Sequence, residues 1–153
     1  MERLQFIVEL SKLRKTPCED YLKYFVDGKA DALELFRIHG TQYRWLYKNS
    51  DYDIIRFQIQ NNIFYWNKYS WAVAECCPHN FDSKKFNWKV DGWWVAQYCP
   101  EHFDPKKYNW KDHSWAIAQF CPQYLDPKKY NWENQTWAVE QYCPHLMHLK
   151  PQA

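Results

Sequence analysis

Two sets of residues in this 153-residue chain have types and spacing that could do chemistry. One is four cysteines each followed by proline, Cys77-Pro78, Cys99-Pro100, Cys121-Pro122 and Cys143-Pro144; the other is three lysine pairs, Lys84-Lys85, Lys106-Lys107 and Lys128-Lys129. Cysteine before proline is a short haem-contact motif whose chemistry would be thiolate ligation. A thiol with a distant histidine is also, in outline, a nucleophile with its base. Cys143, His145 and His148 are ligand types for a soft divalent metal. The lysine pairs have the footprint of a stripe for a phosphate backbone or an acidic protein surface.

Stepping along the chain shows that these residues belong to a larger pattern. Trp71, Trp93, Trp115 and Trp137 fall 22 apart, as do Trp66, Trp88, Trp110 and Trp132, and Asp82, Asp104 and Asp126. The Cys-Pro pairs and the lysine pairs keep the same step. A fixed period of a few tens of residues means stacked supersecondary units, each leaning on its neighbours to bury its apolar face. Proline then closes a helix in every unit, which explains the Cys-Pro pairs without a ligand. Equivalent points on packed helices sit roughly 8–10 Å apart, beyond the roughly 7 Å a disulfide spans. The repeated cysteines therefore read as small buried hydrophobes in a reducing compartment.

Enzyme signatures are missing from the sequence. Three glycines, Gly28, Gly40 and Gly92, cannot build a glycine-rich phosphate loop, and neither Gly-x-Ser-x-Gly nor His-Glu-x-x-His occurs. No catalytic residue, metal site or cofactor is expected. The net charge of +2 is too small to announce a polyanion partner by itself. Aromatics make up 20% of the chain while mean hydropathy is negative, so large amphipathic rings do the burying. There is no apolar run of eighteen residues, and Met1 to Leu13 alternates as an amphipathic helix rather than a leader. A cytoplasmic protein with no membrane partner is expected.

Residues 1–60 read as short helices forming a helical cap or divergent repeats. Thr16-Pro17-Cys18-Glu19 is a capping-box start for a helix carrying Tyr21, Leu22, Tyr24 and Phe25 and stopping by Gly28. Asp31 to Ile38 makes the next, closed by Gly40. Thr41 is placed to cap a helix with Tyr43, Trp45, Leu46 and Tyr47, and Ser50 or Asp51 opens one with Ile54, Ile55, Phe57 and Ile59. Phe64 and Trp66 already echo Phe86 and Trp88, so residues 61–153 form the tandem repeats with a C-terminal cap, one continuous domain with what precedes it.

Within a repeat the sequence predicts two helices of about two turns. Asp104-Pro105 and Asp126-Pro127 place an N-cap and an N1 proline before a first helix such as Lys106 to Trp110. Three variable positions follow as a loop, Lys89-Val90-Asp91, Lys111-Asp112-His113 and Glu133-Asn134-Gln135; Gly92, Ser114 or Thr136 then caps a second helix. Val73, Val95, Ile117 and Val139 form one core ladder, Phe81, Phe103, Leu125 and Met147 another, and the tryptophan ladders join them. Ala74, Ala96 and Ala118 allow close helix approach. The last unit decays, with Glu140 in place of alanine and His148 in place of the capping aspartate, as a wetter terminal cap does.

The segment 115–126, Trp-Ala-Ile-Ala-Gln-Phe-Cys-Pro-Gln-Tyr-Leu-Asp, resembles the Ala-Leu-x-x-Ala-Pro-x-x-Leu-x-x-Asp core of short tandem α-helical repeats in a poorly characterised family of bacterial, viral and protist proteins. The likeness covers residues 71–148 at a shorter repeat length. It implies an α-solenoid and carries no catalytic residue.

These readings converge on an all-α fold, a right-handed-type α-solenoid of short helix pairs with a 22-residue repeat, capped at both ends. The expected function is a non-enzymatic protein-binding scaffold, a small inhibitor or adaptor docking on a larger protein. Trp94 stands where other repeats have Ala72, Ala116 and Ala138, so the core does not need an indole there, and a projecting tryptophan is a favoured interface anchor. Lys89, Asp91, Lys111, Asp112 and His113, on the variable positions, are the other expected partner contacts. The alternative is RNA or single-stranded DNA held along Lys84, Lys85, Lys106, Lys107, Lys128 and Lys129, with exposed rings stacking on bases.

Overall fold

The computed structural model of the chain describes residues 4–15, 17, 19–38 and 53–152. The expected caps at Thr16, Gly40, Ser50 and Asp51 and the helix over Thr41 to Tyr47 lie outside the described residues. The chain divides into two compact units, Met1–Phe64 and Tyr65–Ala153.

The first unit is not a run of helices. Strand β1 (Ile7–Glu9) lies antiparallel to β2 (Lys29–Asp31), with Val8 opposite Ala30. Where a helix was expected over Met1 to Leu13, the described residues instead form this strand and one 3₁₀ turn, Leu10–Lys12. Ile7 is 50% exposed and Val8 5%, the alternation of a half-buried strand. Between the strands helix α1 spans only Glu19–Leu22, so the helix expected to run toward Gly28 stops early. Val26 and Lys29 then exchange backbone hydrogen bonds (2.8 and 3.0 Å) around Asp27 and Gly28, both at positive φ (50° and 74°). Two positive-φ residues between a mutually bonded pair make the two-residue hairpin turn for which Asp-Gly is favoured. Asp31 follows as a cap: its Oδ1 accepts from Phe6 N (3.0 Å) and Leu33 N (3.1 Å), tying the start of the sheet to helix α2 (Ala32–Ile38). Helix α3 (Asp53–Gln60) buries Ile54 and Ile55 completely.

The second unit is an all-α repeat. Helices α4 (Trp66–Cys76), α5 (Trp88–Tyr98), α6 (Trp110–Phe120) and α7 (Trp132–Tyr142) each hold 11 residues, start 22 apart and pack each on the next. The expected Asp-Pro helix is a single hydrogen-bonded turn. Asp104 Oδ1 accepts from Lys106 N (3.0 Å) and Asp104 O from Tyr108 N (3.1 Å), but Trp110 N then bonds Tyr108 O (3.1 Å), which turns the chain aside. A second asparagine-centred cap takes over, with Asn109 Oδ1 accepting from Asp112 N and Asn131 Oδ1 from Asn134 N (both 3.2 Å). The variable triplets therefore form the first turn of each long helix, not a loop. At the other end Pro122 cannot continue the ladder, and the chain passes from Cys121 into the 3₁₀ helix Pro122–Tyr124; Pro78–Asn80, Pro100–His102 and Pro144–Leu149 repeat this. Each unit still pairs two helices, the shorter one sitting after the cysteine.

Three of the four long helices, α4, α6 and α7, are broken where the second N-cap was expected. Tyr69, His113 and Gln135 have non-helical backbones (φ −120 to −128°, ψ 16 to 21°), so Ser114 and Thr136 sit just past a kink inside one helix. The following repeat closes the break. Lys111 O accepts from Asn131 Nδ2 (2.7 Å) and Gln135 Nε2 (3.1 Å), Asp112 O from Gln135 Nε2 (3.0 Å), and Trp115 N–H donates to Gln135 Oε1 (2.7 Å). Tyr108 Oη donates to His113 O (2.7 Å) from within the same repeat. Ser70 and Ser114 each donate to a carbonyl one turn back, Trp66 O and Trp110 O, and accept the backbone N–H that opens the next helix, Asn87 and Asn131 (both 3.0 Å).

Around this polar seam lies the core. Val73, Val95, Ile117 and Val139, the alanines at 74, 96 and 118, and Cys99, Cys121 and Cys143 are fully buried. Trp88 and Trp110 are buried with their indole N–H groups on Ser83 O and Pro105 O (both 2.9 Å). Phe81 stacks on His102 (4.7 Å between centroids) and Phe103 on Tyr124 (5.3 Å), carrying ring contact from one 3₁₀ segment to the next.

Gly92 tests the role of the hydroxyl. It takes the place of Ser70 and Ser114, and a Cβ there would meet Tyr108 and Trp88 at ordinary contact distance, 3.5 Å and beyond. Gly92→Ser should raise stability by about 1–2 kcal/mol, from lower backbone entropy and the acceptor restored to Asn109 N–H. Ser114→Ala should lower it by about 1–3 kcal/mol by orphaning Asn131 N–H, whereas Thr136→Ala, whose hydroxyl bonds only Trp132 O among the described residues, should cost less. Urea unfolding of the three variants gives the ranking directly.

Candidate functional site

The expected partner contacts separate into three environments. Trp94 is half-buried in a cluster of rings, 4.3 Å from Trp93, 5.6 Å from Trp71 and stacked at 5.4 Å on Tyr98, which is 42% exposed. Ala72, Ala116 and Ala138 at the same position are fully buried. The position thus faces inward at its first carbon, and the indole reaches out from it across the surface. Trp93 continues the row to Trp115 (5.9 Å), and Trp115 to Phe120 (6.3 Å). Of the two tryptophan ladders, the one starting at Trp71 is half-buried through Trp115 and reaches 48% exposure at Trp137. The result is a band of partly exposed aromatic rings along α4 to α6.

Lys89, Lys111 and Asp112 are exposed, and their backbones are part of the seam. Lys89 O accepts from Asn109 Nδ2 (3.0 Å) as Lys111 O does from Asn131, and Asp112 Oδ2 accepts from Asn109 Nδ2 (3.0 Å). The ladder Asn87, Asn109 and Asn131 is the element that sequence reasoning passed over, although it keeps the same 22-residue step as the tryptophan after it. Lys89 and Lys111 stand one turn before Trp93 and Trp115, so their side chains share a helix face with the aromatic band.

Asp91 is buried and His113 half-buried, both at the seam. Asp91 is 6% exposed, with the Trp71 backbone N–H on its carboxylate and Oδ2 buried without a hydrogen-bond partner. His113 is half-buried at the kink with Nδ1 equally unpartnered; burial lowers its pKa, against a weaker opposite pull from Asp112. Both occupy the position of Gln135, which places an oxygen on a tryptophan N–H and an amide N–H₂ on two carbonyls. A carboxylate copies the first half of that arrangement and lacks the donor for the second. Burial, opposed by the Trp71 N–H, pushes the Asp91 carboxyl up to about 6.

The lysine stripe is partly consumed inside the stack. All six side chains are exposed, but Lys107 Nζ bonds Ser83 O (3.2 Å) and Ser83 Oγ (3.1 Å), and Lys129 Nζ reaches Pro105 O (3.4 Å). The second lysine of those pairs ties its turn to the turn before. Lys84, Lys106 and Lys128 give their backbone N–H groups to Asp82, Asp104 and Asp126, so a carboxylate sits at the foot of each pair.

The cysteines sit in apolar surroundings. Cys77, Cys99, Cys121 and Cys143 are buried, and Cys99, Cys121 and Cys143 are held as thiols. Burial pushes the thiols of Cys99 and Cys121 up to about 12, with Glu101 adding to the effect at Cys99, and raises that of Cys143. A thiol held protonated is a poor nucleophile and a poor ligand. His145 and His148 are exposed, with His148 Nδ1 on His145 O (2.8 Å), and no group of three or more His, Cys, Asp or Glu gathers as a metal site among the described residues. No helix among the described residues is long and apolar enough to cross a membrane.

Comparison with protein families, with curated proteins and with solved structures finds no match to this chain. The repeat stands on its own period and packing.

Asp91 sets a pH dependence. Its folded pKa of about 6 lies above the ordinary carboxyl value of 3.8, so the native state holds the proton more tightly. The stability this contributes is complete below about pH 4 and is lost as pH rises through about 6, on the order of 1–2 kcal/mol. Asp91→Asn, which supplies the N–H₂ permanently, should be more stable than the native chain at pH 7.5 and flat between pH 4 and 7. Thermal melts across that range compare the two slopes.

Proposed function

We propose that the repeat unit is a non-enzymatic scaffold that binds another protein through the aromatic band centred on Trp94, in the manner of a small inhibitor or adaptor. The observation that carries this reading is the position of Trp94 itself. Three repeats fill that site with a buried methyl group, while this one extends an indole into partly exposed contact with Trp71, Trp93 and Tyr98. Partly buried tryptophan and tyrosine present large rigid surfaces at low entropic cost, which is why interfaces favour them. Lys89 and Lys111 would flank the band as rim charges, adding to association rate more than to affinity. Asp91 and His113 belong to the stack and are left out of the contact set.

A non-enzymatic role is supported by thiols driven toward the protonated form and by the absence of catalytic signatures in the sequence. Binding of RNA or single-stranded DNA to the lysine stripe is the competing outcome. It is disfavoured because Lys107 and Lys129 already serve the turns and each pair has an aspartate at its foot.

The test is affinity capture from native lysate, with and without nuclease, using the native chain, Trp94→Ala and a chain with all six stripe lysines changed to glutamine. The expected result is a discrete protein retained after nuclease, indifferent to the lysine changes and lost with Trp94→Ala. Because alanine already packs at this position in the other repeats, as Ala72, Ala116 and Ala138, that variant should stay folded, whereas Trp110→Ala should cost about 3–5 kcal/mol. Nucleic acid recovered with nothing left after digestion would move the site to the lysines.

A further inference from the structure

The aromatic band has hydrogen-bond donors to spare. Trp88, Trp110 and Trp132, on the other tryptophan ladder, give their indole N–H groups to the turn carbonyls of Ser83, Pro105 and Pro127 (2.9 Å each). Trp93, Trp94 and Trp115 give theirs to nothing among the described residues, and none of the three N–H groups is shut away from solvent. Gln97 and Gln119 stand one turn after Trp93 and Trp115 on the same helix face, half-buried and with side-chain amides equally unengaged among the described residues. One turn before the same indoles stand Lys89 and Lys111, both exposed, while Asp112 beside Lys111 is turned to Asn109. Across α5 and α6 the surface is therefore a platform of half-buried rings carrying free N–H donors, with a cationic rim on one side and an amide rim on the other.

We propose, resting on the reading that this band is the protein-binding site, that its occupant is a proline-rich segment of the partner, held as a polyproline II helix with one turn per repeat and with acidic residues facing Lys89 and Lys111. Proline offers a carbonyl and no N–H, so such a segment is rich in acceptors and poor in donors, the complement of a surface with spare indole and amide N–H groups. Its backbone makes no internal hydrogen bonds, which leaves the carbonyls free, and its rings pack in aromatic-lined grooves. An amphipathic α-helix would bring the band no free carbonyls, since its own are bonded within it. The lengths agree as well. Polyproline II rises about 3.1 Å per residue with three residues per turn, roughly 9 Å, and packed helices stand roughly 8–10 Å apart, so each turn of the ligand meets one Trp–Gln pair. A β-strand, with a period of two and about 3.3 Å per residue, falls out of step with that spacing.

The probe is the end-capped peptide (Glu-Pro-Pro)4, titrated into the full chain by calorimetry beside (Glu-Gly-Ser)4, which keeps the charge and loses the conformation, and (Lys-Pro-Pro)4, which keeps the conformation and reverses the charge. The first should bind about tenfold more tightly than either control, and Gln97→Ala with Gln119→Ala should weaken it about tenfold. That double variant should melt no lower than the native chain, because the two amides bond nothing among the described residues and alanine is the best helix former. Lys89→Glu with Lys111→Glu should move the preference to (Lys-Pro-Pro)4. Equal binding of (Glu-Pro-Pro)4 and (Glu-Gly-Ser)4, no binding of either, or an affinity indifferent to the two glutamines would each overturn the proposal. So would capture, through Trp94, of a protein that has no proline-rich segment, a result that leaves the scaffold reading standing; nucleic acid as the sole captured species would end both.

Discussion

The whole repeat unit depends on backbone groups that its helices cannot satisfy by themselves. A non-helical residue at the fourth position of α4, α6 and α7 opens the ladder, and buried polar backbone left unpaired costs about as much as a lost hydrogen bond. The groups freed in α6 are taken up by Asn131 and Gln135, which belong to the next unit. Helix α6 is therefore complete only with α7 lying on it. That is a stronger reason for stacking than apolar contact, because it fixes register.

The aromatic content follows from the same constraint. An 11-residue helix is marginal alone in water, so each unit must draw most of its stability from burial against its neighbours. Trp88 and Trp110 do this while keeping their one polar atom bonded to a turn carbonyl, which lets a large ring enter the core without an orphaned donor. At the turn before, the Ser83 carbonyl also accepts from Lys107, so that a residue type usually read as solvated becomes part of the frame. Small variations then have local meaning. Gly92 removes a bridging hydroxyl and Asp91 replaces an amide with a carboxyl in the same helix, and both stand beside the aromatic cluster of Trp94.

The stack was legible in the sequence because a 22-residue period survives every substitution between repeats. The buried cysteines, the aliphatic ladder and the helix-ending prolines could all be read from it. The phase of the helices was harder to see. Asp104-Pro105 has the chemistry of a helix start, yet Asn109 has it too, and only the turn from Tyr108 O to Trp110 N decides that the first stops after one turn. The expected cap at Ser114 had located the right point for the wrong reason, since a kink and a cap both call for a hydroxyl that bonds nearby backbone. In the first unit, Asp27-Gly28 carried a plain hairpin signal that was read as the end of a helix. The pairing of Val8 with Ala30 is non-local, and helical spacing in Met1 to Leu13 gave no hint of it.

At the site the same distinction holds between repeated and singular residues. The Cys-Pro pairs, and Lys107 and Lys129 of the lysine stripe, are explained by what one unit does for the next, and repetition itself argues against a special chemistry for any of them. Function has to be sought where the repetition fails. It fails most plainly at Trp94, where an indole stands in place of the methyl group that the other repeats bury. That failure adds partly exposed apolar surface at one point of an otherwise regular stack, and a rigid aromatic surface of that kind suits recognition by shape.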